Sequence, residues 1–292
     1  MIYNYFIFNY VLDVPLEIKE KYLSIRLKNE RYLQFQNGSF VVYYEVNEWE
    51  GNIVNKTVVK ISYIEGDRGD VNGLIKFIKE LTFQLYDEFK NPYIYTEVPA
   101  EDNVLLQILG INKYRLVETR LVHYNNNLKK SIEDLELVKL GNRSMSEKYG
   151  NISLEMRNDY DRYHSDIFIG NEIADNYLKM YGKACFEGYV DEVIIPNQDR
   201  GMSNSFIALN HGINEGIIDT KISQIVLTVV DSETNKGWYR KLIKGAIQRS
   251  ILNESEILIN TTQSTNKPVI HVLESSGFKL GRVSYIFANS VV

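Results

Sequence analysis

Strand-like and helix-like patterns alternate along the first half of the chain. FVVYYEV (40–46) and TVVKISYI (57–64) are rich in β-branched and aromatic residues and predict two strands, with Asn47 and Gly51 as turn residues between them. In 71–89 the apolar residues recur three or four positions apart, which predicts an amphipathic helix. A strand, a helix and a closing strand are predicted over 92–98, 102–111 and 114–124.

The second half repeats this alternation after a polar stretch, 124–136, that carries an asparagine run and clustered charges. Helices are predicted over 171–189, 238–254 and 267–277. Strands are predicted over 136–142, 191–197, 205–210, 216–230, 257–262 and 284–289, with turns at 197–201 and 212–216.

The two halves end alike. When Tyr114 is set against Phe278, Asp102 falls on Asn266, and each of these polar residues precedes a helix of matching length. Because Asp and Asn are favoured helix caps in any protein, the match leaves both an internal duplication and coincidence open.

Composition places the chain among globular proteins with room for two domains. The 292 residues carry a net charge of −5, so no overall positive field recruits nucleic acid or an anionic membrane. The single cysteine, Cys185, can form no intrachain disulfide and no cysteine-rich zinc site, which favours a reducing cytoplasmic compartment. The apolar start, 1–14, is interpreted as a strand because Asp13 interrupts it too soon for a signal peptide or a spanning helix. No His, Asp and Glu set has metal-ligand spacing, so no metal is expected.

One segment joins a buried-strand pattern to a helix through a glycine. IVLTVV (225–230) stops at Asp231, a polar loop follows, and Gly237 precedes the helix that begins at Trp238. Such a turn points several backbone N–H groups and the positive end of a helix dipole into one space, which suits a phosphate. Most strand-to-helix turns of this kind bind nothing, so the pattern alone is weak.

The order of elements around this loop resembles the GNAT superfamily of N-acetyltransferases over about residues 135–292. TNKGWYRKL places Thr234, Gly237 and Tyr239 at the positions of the family's loop motif, and NKPVIHVLESSGF matches its later motif, an Asn, a helix and Gly-Phe. The resemblance implies an α/β (α+β) fold, a mixed and mostly antiparallel sheet flanked by helices. It also implies that two strands splay apart and hold the pantetheine arm of acyl-CoA, while loop N–H groups bind its pyrophosphate. The implied cofactor-binding residues are Leu227, Val229, Thr234, Asn235, Lys236, Gly237, Trp238, Tyr239 and Asn266.

A narrower likeness covers more of the chain. RYHSDIFIGNEIADNYLKMYGKACFEGYVDEVII and EVPAEDNVLLQILGINKYRLVETRLVHY look like the two-domain enzymes that acylate amino groups of dTDP-linked sugars. The likeness implies a degenerate GNAT-like domain over 1–128, contributing to sugar-nucleotide binding, and a catalytic acyl-CoA domain over 129–292. Sugar recognition is then expected at the interface between the domains, with Arg162 on the diphosphate and Tyr177 and Tyr181 on the base or sugar. Since the two tyrosines are four residues apart on a helix, core packing is the alternative for them.

The chain departs from the family pattern at Leu273. Many family members carry a Tyr at this position, seven residues after the Asn, and its hydroxyl protonates the leaving thiolate. Without that hydroxyl two routes stay open: the amine proton passes to the thiolate as it leaves, or a polar residue from the domain interface acts as a base. The candidates for the base are Asp102, Glu118, His164 and Asp166. Three of them have an ordinary alternative: Asp102 and Asp166 as helix caps, and Glu118 as a solvated strand residue. His164 has a reference pKa of about 6.5, which suits proton transfer.

Three functions remain open at this point. The first is an N-acyltransferase acting on a nucleotide-linked amino sugar, with no metal, nucleic-acid or membrane partner and with a homo-oligomer as an open option. The second transfers the acyl group to an amino acid, peptide or polyamine. The third is a protein that binds acyl-CoA without turnover, because Leu273 and Thr234 replace family residues.

Overall fold

The computed structural model describes residues 14–28, 31–197, 204–212, 219–231 and 237–290. The helices of this part of the chain are α1 (Leu16–Leu27), α2 (Glu48–Val54), α3 (Val71–Glu88), α4 (Asn103–Ile111), α5 (Ile132–Glu136), α6 (Ser146–Glu155), α7 (Asn171–Ala184), α8 (Trp238–Leu252) and α9 (Lys267–Ser275). Its strands are β1 (Leu33–Asn37), β2 (Phe40–Val46), β3 (Thr57–Glu65), β4 (Pro92–Pro99), β5 (Arg115–Asn125), β6 (Val138–Leu140), β7 (Glu192–Pro196), β8 (Ser205–Asn210), β9 (Ile222–Val230), β10 (Ile257–Gln263) and β11 (Lys279–Asn289).

The contacts divide the chain into two compact units that are not continuous in sequence. Unit 1 comprises the described residues up to Arg120, together with Tyr160–Ala174 and the residues from Arg282 onward. Unit 2 comprises Leu121–Asp159 and the described residues of Asp175–Gly281. The assignment of roles to domains 1–128 and 129–292 stays a prediction.

Unit 1 is a mixed, mostly antiparallel sheet in the strand order β1-β2-β3-β4-β11-β5. The pair β3 and β4 is parallel, whereas β2 with β3 and β4 with β11 are antiparallel. The amphipathic helix α3 buries Leu74, Ile78, Leu81 and Leu85 in an apolar core shared with the sheet and α4. This burial is what selects the helix and its orientation.

Unit 2 has the strand order β11-β5-β10-β9-β8-β7-β6, with β9 and β10 parallel and the pairs from β9 to β6 antiparallel. Helices α8 and α9 cover one apolar cluster, which includes Leu242, Leu258, Leu273 and Phe278. A second cluster, around Phe186 and Phe206, packs against Val229 of β9. The expected mixed, mostly antiparallel sheet flanked by helices is confirmed in both units.

Corresponding helices and strands of the two halves are separated by one constant offset in residue number. Setting Tyr114 against Phe278 (278 − 114 = 164) places β5 over β11 residue for residue, and Asp102, the N-cap of α4, over Asn266, the N-cap of α9. The same shift in residue number matches β2 with β8, β3 with β9, α3 with α8 and β4 with β10. The ends of the matched elements differ by a few residues. We call these two sets the first and the second repeat.

The closing strand of each repeat lies beside the fourth strand of the other repeat. In unit 1, β4 of the first repeat pairs with β11 of the second, from Ile94 with Asn289 to Pro99 with Ser284. In unit 2, the strand beside β10 of the second repeat is β5 of the first. The exchange explains why neither unit is a continuous stretch of sequence.

Most predicted elements are confirmed within a few residues, and three differ. No turn forms at Asn47 and Gly51: Asn47 is the N-cap of α2, where its side chain accepts from the Glu50 N–H at 3.1 Å, and Gly51 lies within the helix. The polar stretch 124–136 contains the helix α5, and the helix predicted over 171–189 ends in a π turn, Cys185–Tyr189. The strand predicted over 1–14 and the turns at 198–201 and 213–216 lie outside the described residues.

Candidate functional site

The parallel strands of unit 2 separate halfway along their length. The pairing of β9 with β10 runs from Ile222 with Ile257 to Ile225 with Asn260 and then ends, although β9 continues to Val230 and β10 to Gln263. We call the space between 226–230 and 261–263 the gap. Backbone groups that face a gap of this kind have no ladder partner on that side, so they are free for a ligand.

A β-bulge sits at the point where the strands separate. The antiparallel register of β8 with β9 passes from Ala208 with Leu227 to Leu209 with Ile225, which leaves Val226 as the extra residue. A bulge bends its strand and increases its twist, so it turns β9 away from β10 immediately after the last parallel pair.

No side chain among the described residues caps the helix that follows β9. Gly237 is the N-cap of α8, with φ +82°, a backbone conformation that favours glycine. A Cβ at this position would meet no atom of the described residues within 4 Å, so these residues leave space beside the helix start. Without a side-chain cap, the first N–H groups of α8 and the positive end of its dipole are suited to an anion.

The equivalent place in unit 1 is filled by the protein's own acidic side chains. The strands β3 and β4 also separate after their last parallel pair, Ile61 with Thr96, and Ser62 is the extra residue of a bulge there. However, Asp70 caps α3 by accepting from the Gly73 N–H at 2.9 Å, and Asp67 accepts from the Gly69 N–H at 2.8 Å. Two carboxylates at this helix start oppose the binding of a phosphate.

The buried Arg68 bridges the separated elements of unit 1. Its Nη2 donates to the carbonyl of Ile64 on β3 at 2.9 Å, and its Nε lies 3.2 Å from Oδ2 of Asp102, which caps α4 after β4. In unit 2 the residues equivalent to Ile64 and Asp102 are Thr228 and Asn266. The Thr228 Oγ1 is buried without a hydrogen-bond partner among the described residues, and Asn266 makes no side-chain cap bond. The gap of unit 2 therefore retains unused polar groups.

A phenol reaches the narrow end of the gap. Tyr239, in the first turn of α8, accepts a hydrogen bond at Oη from Nδ2 of Asn260, 3.3 Å away. Asn260 belongs to the last parallel pair and is 4% exposed. Burial raises the pKa of Tyr239 more than the Asn260 bond lowers it, so the phenol stays protonated at neutral pH.

The structure describes six of the nine predicted cofactor-binding residues. Leu227 and Val229 lie on β9 along the gap, Gly237, Trp238 and Tyr239 form the start of α8, and Asn266 starts α9. Thr234, Asn235 and Lys236 lie outside the described residues. The binding role of all nine stays a prediction.

Leu273, at the family's tyrosine position, is fully buried in the apolar cluster beneath α8 and α9. Gly277 follows α9 with φ +88°, and Phe278 is buried in the same cluster. The expected Asn, helix and Gly-Phe arrangement is thus present as a packing unit. The aliphatic side chain of Leu273 has no proton to donate to a leaving thiolate.

Two of the predicted bases, Asp102 and Glu118, are buried in ion pairs of unit 1. Asp102 is 1% exposed, pairs with Arg68 and caps α4 by accepting from the Leu105 N–H at 3.3 Å. The expectation that strand alternation turns Glu118 toward solvent is wrong, because Glu118 is 5% exposed and lies 3.0 Å from Nη2 of Arg120. A charge partner on its own strand allows this carboxylate to be buried.

The other two candidates, His164 and Asp166, lie in Tyr160–Ala174, a segment from the middle of the chain that belongs to unit 1. Asp166 is 1% exposed, and Nη2 of Arg115 donates to it at 3.0 Å. The Nδ1 of His164 lies 2.6 Å from Oδ2 of Asp161, and the imidazole is almost fully buried. A carboxylate at Nδ1 fixes the orientation of an imidazole ring.

The three residues predicted to bind the acceptor are also packed against neighbours. In unit 1, Nη2 of Arg162 donates to Glu50 at 2.7 Å, and its guanidinium lies 3.8 Å from the ring centre of Tyr95. In unit 2, the rings of Tyr177 and Tyr181 stack on one face of α7 with centres 5.9 Å apart. Their roles in binding stay predictions.

The sequence reasoning missed a charged cluster of unit 1 centred on Glu97. Its carboxylate accepts from Arg282 at 2.7 Å and from the Ser284 hydroxyl at 2.6 Å, and it lies 3.3 Å from Arg120. Burial opposes the ionisation of Glu97, but the two arginines and the hydroxyl outweigh it and lower its pKa to about 2. The alternation of PYIYTEV placed Glu97 on a strand, but its partners lie on β5 and β11, which a local pattern does not identify.

Comparison with known proteins gives a fold. No protein-family model and no curated protein match the chain. A GCN5-related N-acetyltransferase from Sphaerobacter thermophilus has 9% identity, covers 93% of this chain and 85% of its own length, and has a TM-score of 0.55. A GCN5-related N-acetyltransferase from Kribbella flavida has 10% identity, coverages of 96% and 97%, and a TM-score of 0.55. A functionally unknown conserved protein from Staphylococcus epidermidis has 11% identity, coverages of 93% and 98%, and a TM-score of 0.53. The chain therefore has the GNAT fold.

Proposed function

We propose that this chain is an acyl-CoA-dependent N-acyltransferase that holds its acyl donor in the gap of unit 2. The observation that carries the proposal is the contrast between the repeats. In unit 2 the strands separate at the Val226 bulge beside an uncapped helix start, whereas in unit 1 the same place is filled by Asp67, Asp70 and Arg68. One fold element is thus open to an anionic ligand in one unit and closed in the other.

The proposed donor fits the groups along the gap. A pyrophosphate suits the start of α8, where Gly237 leaves space beside the first helical N–H groups. The pantetheine arm carries amides, which suit the backbone groups of Leu227 and Val229 on the edge of β9 and the Thr228 hydroxyl. The acyl carbonyl then lies toward Asn260, where the gap narrows.

For the acceptor we propose the amino group of a dTDP-linked amino-deoxy sugar. The support is the sequence likeness of residues 162–195 and 97–124 to such enzymes, and Arg162, Tyr177 and Tyr181 are the proposed binding residues. Among the candidate bases, His164 has the chemistry best suited to the task, because Asp161 orients its ring. Asp102, Glu118 and Asp166 each form an ion pair with an arginine, which supports a structural role for them.

A titration calorimetry experiment with CoA tests the donor site. The matched variants Gly237→Asn and Gly237→Asp both tolerate a positive φ and differ by one negative charge. A carboxylate roughly 5 Å from a phosphate is expected to cost about 1.4 kcal/mol, or about 10-fold in Kd, relative to the Asn variant. No CoA binding by the wild-type protein, or equal Kd values for the two variants, contradicts the proposed site.

A thiol-release assay tests the reaction. Acetyl-CoA is incubated with dTDP-amino sugars and, in parallel, with amino acids, peptides and polyamines. Turnover restricted to the sugar nucleotides supports the proposed acceptor. Turnover restricted to the other amines refutes that acceptor and retains the acyltransferase, whereas CoA binding with no thiol release from any amine refutes the enzyme.

A further inference from the structure

The proposed reaction lacks a proton donor for the departing sulfur. When an amine attacks a thioester, the carbon–sulfur bond breaks and sulfur leaves with the bonding electron pair. The family position for a donor is Leu273, an aliphatic side chain that is fully buried in the cluster beneath α8 and α9. A hydroxyl that reaches the same place from another element can replace it.

Tyr239 brings a phenol to the sheet from α8. Its ring packs against the apolar cluster that also contains Leu273. Its Oη lies 3.3 Å from Nδ2 of Asn260, the residue at which the parallel pairing with β9 ends. The phenolic oxygen is therefore placed at the narrow end of the gap.

The direction of this hydrogen bond decides what the phenol can do. The Asn260 amide nitrogen has only protons to give, so it donates and the Tyr239 oxygen accepts. The hydroxyl proton of Tyr239 is not used in that bond and remains available for a second partner. Asn260, which is 4% exposed, thereby fixes the position of the oxygen and leaves its proton directed elsewhere.

We propose that Tyr239 is the residue that protonates the leaving thiolate, with Asn260 as its positioning residue; this inference rests on the proposed function. As the carbon–sulfur bond breaks, sulfur takes the bonding pair and the phenolic proton, which yields free CoA thiol. The phenolate takes up the proton that the acceptor nitrogen loses on becoming an amide. Atoms and charges balance, and no further reactant is required.

The test compares Tyr239→Phe with the wild-type protein in thiol release from acetyl-CoA. The variant keeps the ring and loses the hydroxyl, and kcat is expected to fall about 100-fold with an unchanged Kd for CoA, since general acids contribute roughly 10²–10⁴-fold. Tyr43→Phe is the matched control, because Tyr43 lies on β2 of unit 1 with its ring stacked on Tyr63, away from the proposed binding residues. Its kcat is expected to stay at the wild-type value.

A second donor separates proton transfer from a structural effect. Acetyl-seleno-CoA has a selenolate leaving group that departs without a proton, so the Tyr239→Phe defect is expected to shrink to less than about 3-fold. Asn260→Asp is expected to show the same selenoester rescue, because its carboxylate accepts the phenolic proton and withdraws it from sulfur. A structural defect would persist with both donors.

The outcomes distinguish this inference from the proposed function. A wild-type protein that binds no CoA, or that releases no thiol, overturns both. A wild-type protein that turns over, with Tyr239→Phe either equally active or equally slow with both donors, overturns the role of Tyr239 and leaves the acyltransferase intact.

Discussion

The two carboxylates that cap helices of unit 1 are expected to differ sharply in their contribution to stability. Asp70 caps α3 at an exposed position, whereas the Asp102 side chain is fully buried and pairs with Arg68, whose side chain is 5% exposed. Asp70→Ala removes a cap and is expected to cost about 1 kcal/mol. Asp102→Ala removes a cap and also leaves a buried guanidinium without this partner, which adds roughly 3–5 kcal/mol, for a total of about 4–6 kcal/mol.

Urea unfolding followed by tryptophan fluorescence measures this difference within unit 1. The chain has two tryptophans, Trp49 in unit 1 and Trp238 in unit 2, so a Trp238→Phe background reports on unit 1 alone. Asp102→Asn is expected to lie between the two alanine variants, because its amide oxygen keeps the cap and loses the charge. Equal urea midpoints for Asp70→Ala and Asp102→Ala would refute the reasoning, since the buried ion pair would then contribute nothing to the free energy of unfolding.

Two further measurements follow from shifted pKa values. Because the pKa of Glu97 is lowered from 4.5 to about 2, its interactions with the two arginines are expected to contribute up to about 3 kcal/mol above pH 4.5, and this contribution is lost as the pH falls toward 2. The stability difference between the wild-type protein and Glu97→Gln should therefore shrink between pH 7 and pH 3, and a constant difference contradicts the assignment. Burial raises the pKa of the Cys185 thiol to about 12, and the side chain is 2% exposed, so it should resist a disulfide reagent at pH 8 until the protein unfolds. Rapid labelling of the native protein would show that unit 2 opens at this position.

The periodic elements were predictable because one local pattern determined each of them. The three- and four-residue spacing of Leu74, Ile78 and Leu81 fixed α3, and the apolar run before Asp231 fixed β9. At Asn47 the local pattern predicts a turn where the structure has a helix cap, because a cap and a turn use the same side-chain bond. The choice between them depends on the buried Val54 at the other end of the helix.

The partners of charged residues were not predictable from local patterns. Glu118 is buried because Arg120, two residues away, faces the same side of the strand. Arg68 and Asp102 meet because a loop folds back over a helix start 34 residues later. Such pairs depend on which strands become neighbours, and the sequence order of β4, β5, β10 and β11 does not reveal their exchange.

The exchanged strand β11 also has a consequence for how the chain is made. The Ser284 hydroxyl donates to Glu97 in unit 1 but follows it by 187 residues, so the sheet of unit 1 stays incomplete until β11 has left the ribosome. During that interval β4 is an edge strand with an apolar core beneath it, which exposes it to aggregation and to chaperones. Nascent chains stalled before residue 279 should therefore remain protease-sensitive in unit 1, and protection should arise only when β11 is released.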